Sequence, residues 1–249
     1  MGKRERLDRL LVGLGLVASR KEGQGRILAG EVLVNDRLFT KAGSLVDSDA
    51  VIRLRGKPLP YVSRGGTKLE KALKEFRIAV EDRIVLDVGA STGGFTDCLL
   101  SYGACRVYAV DVGYGQLDWK LRKDPRVLVF ERRNIRYFKA EELPQPPQLA
   151  TIDVSFISLR LVLPQVKRLL APRGEILALI KPQFEVGKGK VGKGGVVRRH
   201  DEHLRVIEEI KKAAEAMKLK VGGVTESPLL GPKGNREFFI YLVKSNDVE

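Results

Sequence analysis

The stretch Leu86-Asp87-Val88-Gly89-Ala90-Ser91-Thr92-Gly93-Gly94-Phe95-Thr96 constrains the fold of this chain more than any other. An apolar run that ends in a glycine-rich turn and opens a helix is the place where doubly wound sheets bind nucleotides. A dinucleotide fingerprint needs G-x-G-x-x-G, so that backbone can approach a pyrophosphate at the helix N-terminus. Here Ser91 stands two residues after Gly89, and that pattern fails. Asp111 ends the next strand candidate about 20 residues on, where a carboxylate can bind ribose hydroxyls. The spacing therefore predicts a nucleoside-like cofactor held by Asp87, Gly89, Ser91, Thr92, Gly93, Gly94, Phe95, Asp111 and Val112. Asn134, after the third strand candidate, is placed to meet an adenine edge.

Strands and helices alternate around this turn. Strand candidates are Ile84–Val88, Val107–Val110, Val127–Phe130, Leu149–Ile152, Ile176–Ile180, Val221–Thr225 and Phe238–Val243. Helix candidates are Lys68–Phe76, Thr96–Leu100, Leu159–Leu170 and Glu202–Met217. Such alternation implies an α/β fold with a mostly parallel seven-stranded sheet. The Gly231-Pro232-Lys233-Gly234-Asn235 turn makes the last strand antiparallel to its predecessor. Residues 1–58 read as a separate small α+β unit. Leu7, Leu10, Leu11 and Leu14 form one helical face, Ser19-Arg20-Lys21-Glu22 has capping-box spacing, and a second helix stops at Gly30. Val32–Val34, an Asn35-Asp36 turn and Val51–Leu54 follow. Two prolines in Lys57-Pro58-Leu59-Pro60-Tyr61 mark a linker at 59–62, with the larger domain at 63–249.

The net charge of +14 and the pI near 9.8 favour polyanionic partners, through phosphate contacts and counterion release. No apolar run approaches the roughly 18 residues that span a bilayer, and the first residues form no secretory h-region. Cys98 and Cys105 are too few for a disulfide framework or a zinc site, and both read as core. A reducing cytoplasm is the expected location. Gly187-Lys188-Gly189-Lys190-Val191-Gly192-Lys193-Gly194 fits the spacing of a P-loop, but Gly194 stands where magnesium needs Ser or Thr. It reads as a basic loop over RNA, with Lys188, Lys190 and Lys193 as contacts.

The D-x-G-x-S-T-G-G turn resembles the first motif of class I methyltransferases, whose glycines leave room for the methionine part of S-adenosylmethionine. Neither base chemistry fits. Carbon-5 methylation needs a cysteine beside the base, and amino-group methylation needs an [N/D]-P-P-[Y/F] segment where this chain has Asp153-Val154-Ser155-Phe156. What converges at the carboxyl ends of the strands is Asp153 and Lys181, with Glu237 opening the last strand. Lys68 joins them from a helix that Thr67 is expected to cap. A lysine amine can take the proton of a ribose hydroxyl when its surroundings favour the neutral form. Carboxylates orient the lysines, and a sulfonium needs no metal to activate it.

Residues 1–58 resemble the S-four RNA-binding domain through Arg6-Leu7-Asp8, Leu16, Ser19-Arg20, Gly30 and Val32-x-Val34-Asn35. Residues 63–249 resemble the FtsJ-like 2′-O-ribose methyltransferases. With Ser63-Arg64-Gly65-Gly66, Asp111-Val112-Gly113-Tyr114-Gly115-Gln116-Leu117 and Lys181-Pro182-Gln183-Phe184-Glu185, the chain looks like the TlyA (haemolysin A) group of rRNA methyltransferases. The resemblance implies a Lys-Asp-Lys-Glu catalytic tetrad on Lys68, Asp153, Lys181 and Glu237, with cytidine 2′-hydroxyls of rRNA, free or in ribosomal subunits, as target. Arg6, Arg9, Arg20, Lys21, Arg26 and Arg64 are then expected to grip RNA phosphates. Two other readings stand beside it: a non-catalytic rRNA-binding assembly factor with a vestigial pocket, and the membrane-lytic role in the group's older name.

Overall fold

The computed structural model describes residues 4–55, 60–187, 191–192 and 194–245. The chain divides into two compact units, Met1–Leu59 and Pro60–Glu249. Among the described residues no helix is long and apolar enough to cross a membrane.

In the first unit, β1 (Arg4–Arg6) pairs antiparallel with β4 (Leu45–Asp47), and β2 (Val32–Val34) lies between β3 (Arg37–Phe39) and β5 (Ile52–Leu54). Helices α1 (Leu7–Gly13) and α2 (Arg20–Leu28) supply Leu7, Leu10, Leu11 and Ile27 to a core completed by Val17, Val32, Val34 and Val46. Three of these strands escape a periodicity reading because three residues hold less than two repeats of the strand period. Asn35 and Asp36 both have positive φ, 49° and 60°, and join β2 to β3 by a two-residue loop that suits the twist of the hairpin. At the start of α2, Ser19 Oγ accepts from Glu22 N–H (3.2 Å), while the Glu22 carboxylate reaches one residue further back, to Ala18 N–H (2.8 Å). Gly23 lets α2 approach α1, since a Cβ there would already touch Asp8 O, Leu11 and Val17 at 3.4 Å; Gly25 faces open space.

The second unit holds β6 (Ile84–Val88), β7 (Arg106–Val110), β8 (Val127–Phe130), β9 (Leu149–Ile152), β10 (Glu175–Ile180), β11 (Leu219–Glu226) and β12 (Phe238–Lys244). They form one sheet in the order β11-β12-β10-β9-β6-β7-β8, parallel except for β12, which runs antiparallel to both its neighbours. Between β6 and β9 the strand order reverses, and the crevice at their carboxyl ends is where such sheets bind ligands. Alternate residues serve opposite faces. Leu86, Val88, Ala150, Ile152, Ala178 and Ile180 meet α6 (Leu159–Leu169) and α8 (His200–Ala216). Val85, Val107, Leu149, Leu177 and Phe239 meet α3 (Arg64–Phe76), α4 (Gly94–Ser101) and α5 (Trp119–Arg122). A single turn, α7 (Pro182–Glu185), follows β10 directly.

Two expectations are corrected here. Helix α3 begins at Arg64 with Ser63 at its N-cap position, so Thr67 lies inside the helix and does not cap it. Gly65 and Gly66 do not delay its start because packing requires them: a Cβ on Gly66 would lie 2.4 Å from the Tyr61 ring. Lys68 therefore sits a full turn from the helix end, where the dipole acts weakly. Cys98 is buried as expected, but Cys105 is exposed, in the turn before β7.

Beneath the glycine turn, Asp87 is fully buried and accepts from Thr96 Oγ1 (2.7 Å) and Thr151 Oγ1 (3.0 Å). Burial pushes its carboxyl from 3.8 up to about 6. The folded form thus holds this proton more tightly than the unfolded chain, so the stabilisation is complete below about pH 4 and is lost as pH rises through about 6, a change of ~3 kcal/mol. Urea unfolding of Asp87→Asn and wild-type protein at several pH values between about 4 and 7 is expected to show this loss in the wild type alone; parallel profiles would refute it. In α2, Gly25→Ala is expected to raise the free energy of unfolding by about 0.5–1 kcal/mol. Gly66→Ala is expected to lower it by about 1–3 kcal/mol, overpacking outweighing propensity.

Candidate active site

The cleft at the carboxyl ends of β6, β9 and β10 encloses about 280 Å³. Its floor is the turn after β6. Gly89 has φ +83°, and a Cβ there would lie 2.5 Å from the carbonyl oxygen of Asp153. Gly93 (φ +96°) occupies the N-cap position of α4, where a Cβ would strike Leu121 and Leu117, and Gly94 abuts Ser63 Oγ. The space these glycines vacate is filled by protein, whereas the first-motif resemblance implied room for a ligand. Their small size draws β6, α3, α4 and α5 together, and the cleft is lined instead by Gly89, Ala90, Ser91, Thr92, Gly94 and Phe95 along the turn.

Asp111 flanks the floor. Its two oxygens accept from Ser91 N–H (2.8 Å) and Gly113 N–H (2.6 Å), and each oxygen keeps a further lone pair for a ligand hydroxyl. Val112 beyond it is exposed. Two other expected cofactor contacts have structural tasks, one beneath the turn and one after β8, next to Arg133, whose N–H donates to the Asp111 carbonyl (2.9 Å). The Asp87 carboxylate lies under the turn, spent on two threonine hydroxyls, and cannot face a ligand. Asn134 Oδ1 accepts from Arg136 N–H (3.1 Å) and so caps the 3₁₀ turn Ile135–Tyr137.

The four charged residues singled out at the strand ends all line the cleft. They stand as two ion pairs: Lys68 Nζ lies 2.6 Å from Glu237 Oε2, and Lys181 Nζ lies 2.6 Å from Asp153 Oδ1. Lys181 also donates to Ser155 Oγ (3.0 Å). Each lysine side chain is only about a tenth exposed, 12% and 10%, and Glu237 is buried. Among the described residues, Glu237 Oε1 is buried without a hydrogen-bond partner. A buried carboxylate oxygen calls for a donor, and an incoming hydroxyl or ammonium can supply it. Gly231 makes room for this carboxylate, since a Cβ there would lie 2.0 Å from Oε1.

The sequence reading missed Leu229, Leu230, Gly231 and Pro232, which form one wall of the cleft. The signal was available: an antiparallel last strand returns its preceding turn to the carboxyl edge of the sheet. It also missed Phe156, 90% exposed and held at φ +64° beside Asp153. Its ring lies 4.9 Å from that of Phe184.

Of the expected RNA contacts, Arg64 is exposed and lines the cleft. In the first unit Arg9 and Lys21 are exposed. Arg6 and Arg20 share Asp8 (3.0 and 3.1 Å) but keep their side chains 42% and 49% exposed. The Arg6 guanidinium holds the buried Asp8 carboxyl well below the usual carboxylate range. Arg26 is a correction: it is buried against Glu22 (3.1 Å) and Glu31 (3.8 Å), and a paired, enclosed guanidinium has no face left for a phosphate. Lys188, Lys190 and Lys193 lie outside the described residues.

Comparison with known proteins places these features in a family. The FtsJ-like methyltransferase family matches residues 61–244, and the S4 domain matches residues 5–52. The chain is 50% identical to YqxC of Bacillus subtilis, an rRNA methyltransferase candidate, over 96% of its own length and 86% of the relative's. It is 46% identical to the 16S/23S rRNA (cytidine-2′-O)-methyltransferase TlyA of Mycobacterium tuberculosis, covering 99% of this chain and 92% of that one. The solved structure of a hemolysin candidate from Streptococcus thermophilus superposes with a TM-score of 0.79 at 44% identity, covering 99% of this chain and 90% of that one. The chain therefore belongs to the FtsJ-like methyltransferase family and carries an S4 domain at its N-terminal side.

Proposed function

We propose that this protein transfers a methyl group from S-adenosylmethionine to the 2′-hydroxyl of ribose in rRNA, at cytidine, in the cytoplasm. The observation that carries the reading is the pair of nearly buried lysine–carboxylate bridges facing one cleft above the glycine turn. Two lysines about nine-tenths buried are costly to build, and a surface that only held RNA would have no need to bury them. The name borne by the Mycobacterium tuberculosis relative supports rRNA and cytidine as the target. The S4 match and the net charge of +14 support an RNA partner.

The residues fit the cofactor. Asp111 can bind its ribose hydroxyls, Ser91 to Phe95 can border its amino-acid end, and the unpartnered Glu237 Oε1 can accept from a donor deep in the cleft. S-adenosylmethionine, when bound, supplies an electrophilic methyl on a positive sulfur. The chain's own groups position the hydroxyl. The Asp153 carboxylate, 2.6 Å from Lys181 Nζ, would take the hydroxyl proton, directly or relayed through that amine, while the bound cofactor would supply the methyl group. Ser155 and Asp153 fix the Lys181 amine from two sides, and Glu237 fixes Lys68. Such transfer depends mainly on holding the reacting atoms in line. A nucleotide presented here must leave its stack, and the exposed ring of Phe156 offers the base a surface to lie on.

Purified protein with methyl-labelled cofactor is expected to label ribose in free rRNA, in ribosomal subunits, or in both; label on none of them would end this reading. Lys181→Ala is expected to lower turnover by roughly 10²–10⁴-fold while RNA affinity stays within about twofold, because that lysine makes no first contact with the RNA backbone. Unchanged turnover in that variant would remove Lys181 from the chemistry.

A further inference from the structure

Glu185 takes no part in the chemistry described above, yet it is 5% exposed and its two oxygens are both engaged. Ser158 Oγ donates to Oε2 (2.5 Å) and Leu159 N–H donates to Oε1 (2.8 Å). Ser158 and Leu159 are the N-cap residue and first residue of α6. Burial pushes the Glu185 carboxyl up. Capping alone does not explain such an arrangement, because Ser158 Oγ already accepts from Arg160 N–H (3.2 Å). An exposed carboxylate at a helix N-terminus also gains from the dipole without being desolvated.

What Glu185 closes is a bracket. The loop from Asp153 to Ser158 leaves β9 and enters α6, and the segment Lys181 to Glu185 touches it at its start, middle and end. Lys181 meets Asp153 and Ser155, Phe184 meets the Phe156 ring at 4.9 Å, and Glu185 meets Ser158 and Leu159. Phe156 needs this support. A non-glycine residue at φ +64° is strained, and its exposed ring gains nothing from burial. The short helix α7 makes the bracket rigid, since Pro182 fixes the backbone immediately after Lys181.

We infer that Glu185 is a positioning residue: by anchoring the end of the Asp153–Ser158 loop, it holds the exposed Phe156 ring against Phe184 and Asp153 against Lys181. The inference rests on the methyl-transfer reading above. Glu185→Gln, which keeps the size and one acceptor, is expected to lower kcat for RNA about tenfold, as small misplacements of reacting groups do, with the KM for S-adenosylmethionine within about twofold. Phe156→Ala combined with Glu185→Gln is expected to lose less than the product of the two single losses, because residues that share a loop are non-additive. Ser158→Ala, which removes one of the two bonds from the other side, is expected to shift kcat in the same direction. Backbone amides of 154–157 are expected to exchange hydrogen faster in Glu185→Gln without RNA or cofactor. Unchanged kcat with an active wild type, independent multiplication of the two losses, or unchanged amide exchange would each overturn the inference. A wild type that labels no ribose would fell the functional reading instead, and the exchange measurement would still decide the bracing.

Discussion

Much of the second unit depends on one buried carboxylate. Asp87 sits in the middle of the sheet, and its two oxygens tie the start of α4 through Thr96 and the neighbouring strand β9 through Thr151. A charged group in such a place costs several kcal/mol unless donors surround it. Here the donors belong to the elements that must meet at the switch point of the sheet. Asp111 repeats the arrangement from the side, accepting from the turn at Ser91 and from its own loop at Gly113. The turn is thus held from below and from one flank, so the floor of the cleft above it stays fixed.

That arrangement explains which parts of the site were legible in the sequence. Glycines with positive φ and strand-end charges can be read because a single backbone position dictates them. Gly89, Asp153, Lys181 and Glu237 therefore stand where the pattern put them. Asp87 was misread as a ligand contact because a carboxylate inside an apolar strand signals something unusual, but not which side it faces. Arg26 was misread for the opposite reason: its partners Glu22 and Glu31 flank it in sequence, yet only the burial of that helix face encloses it. The Thr67 cap failed because Gly65 and Gly66 look like helix breakers until Tyr61 and Phe95 are seen packed against them. Phe156 and the 229–232 wall escaped because nothing local marks an exposed ring or an apolar pair as belonging to a site.

The two lysine–carboxylate bridges divide the labour of the cleft between its halves. Lys68 and Glu237 join a helix before the sheet to the last strand, while Lys181 and Asp153 join adjacent parallel strands. The second bridge shares its loop with Phe156, so the group that would receive a proton and the ring that would receive a base are set by the same short stretch of backbone. An alteration in that loop cannot move one without the other.

The place of β12 has a consequence for how the protein is made. This strand is inserted between β10 and β11, and it brings Glu237 with it. During vectorial synthesis, domains fold as their segments emerge. A nascent chain that has released everything through β11 still has a gap in its sheet, with the edges of β10 and β11 unpaired and Lys68 lacking its carboxylate. The pocket therefore comes into being only with the final strand. Until then the chain carries an open slot whose backbone groups can be claimed by any extended segment, its own or a neighbour's.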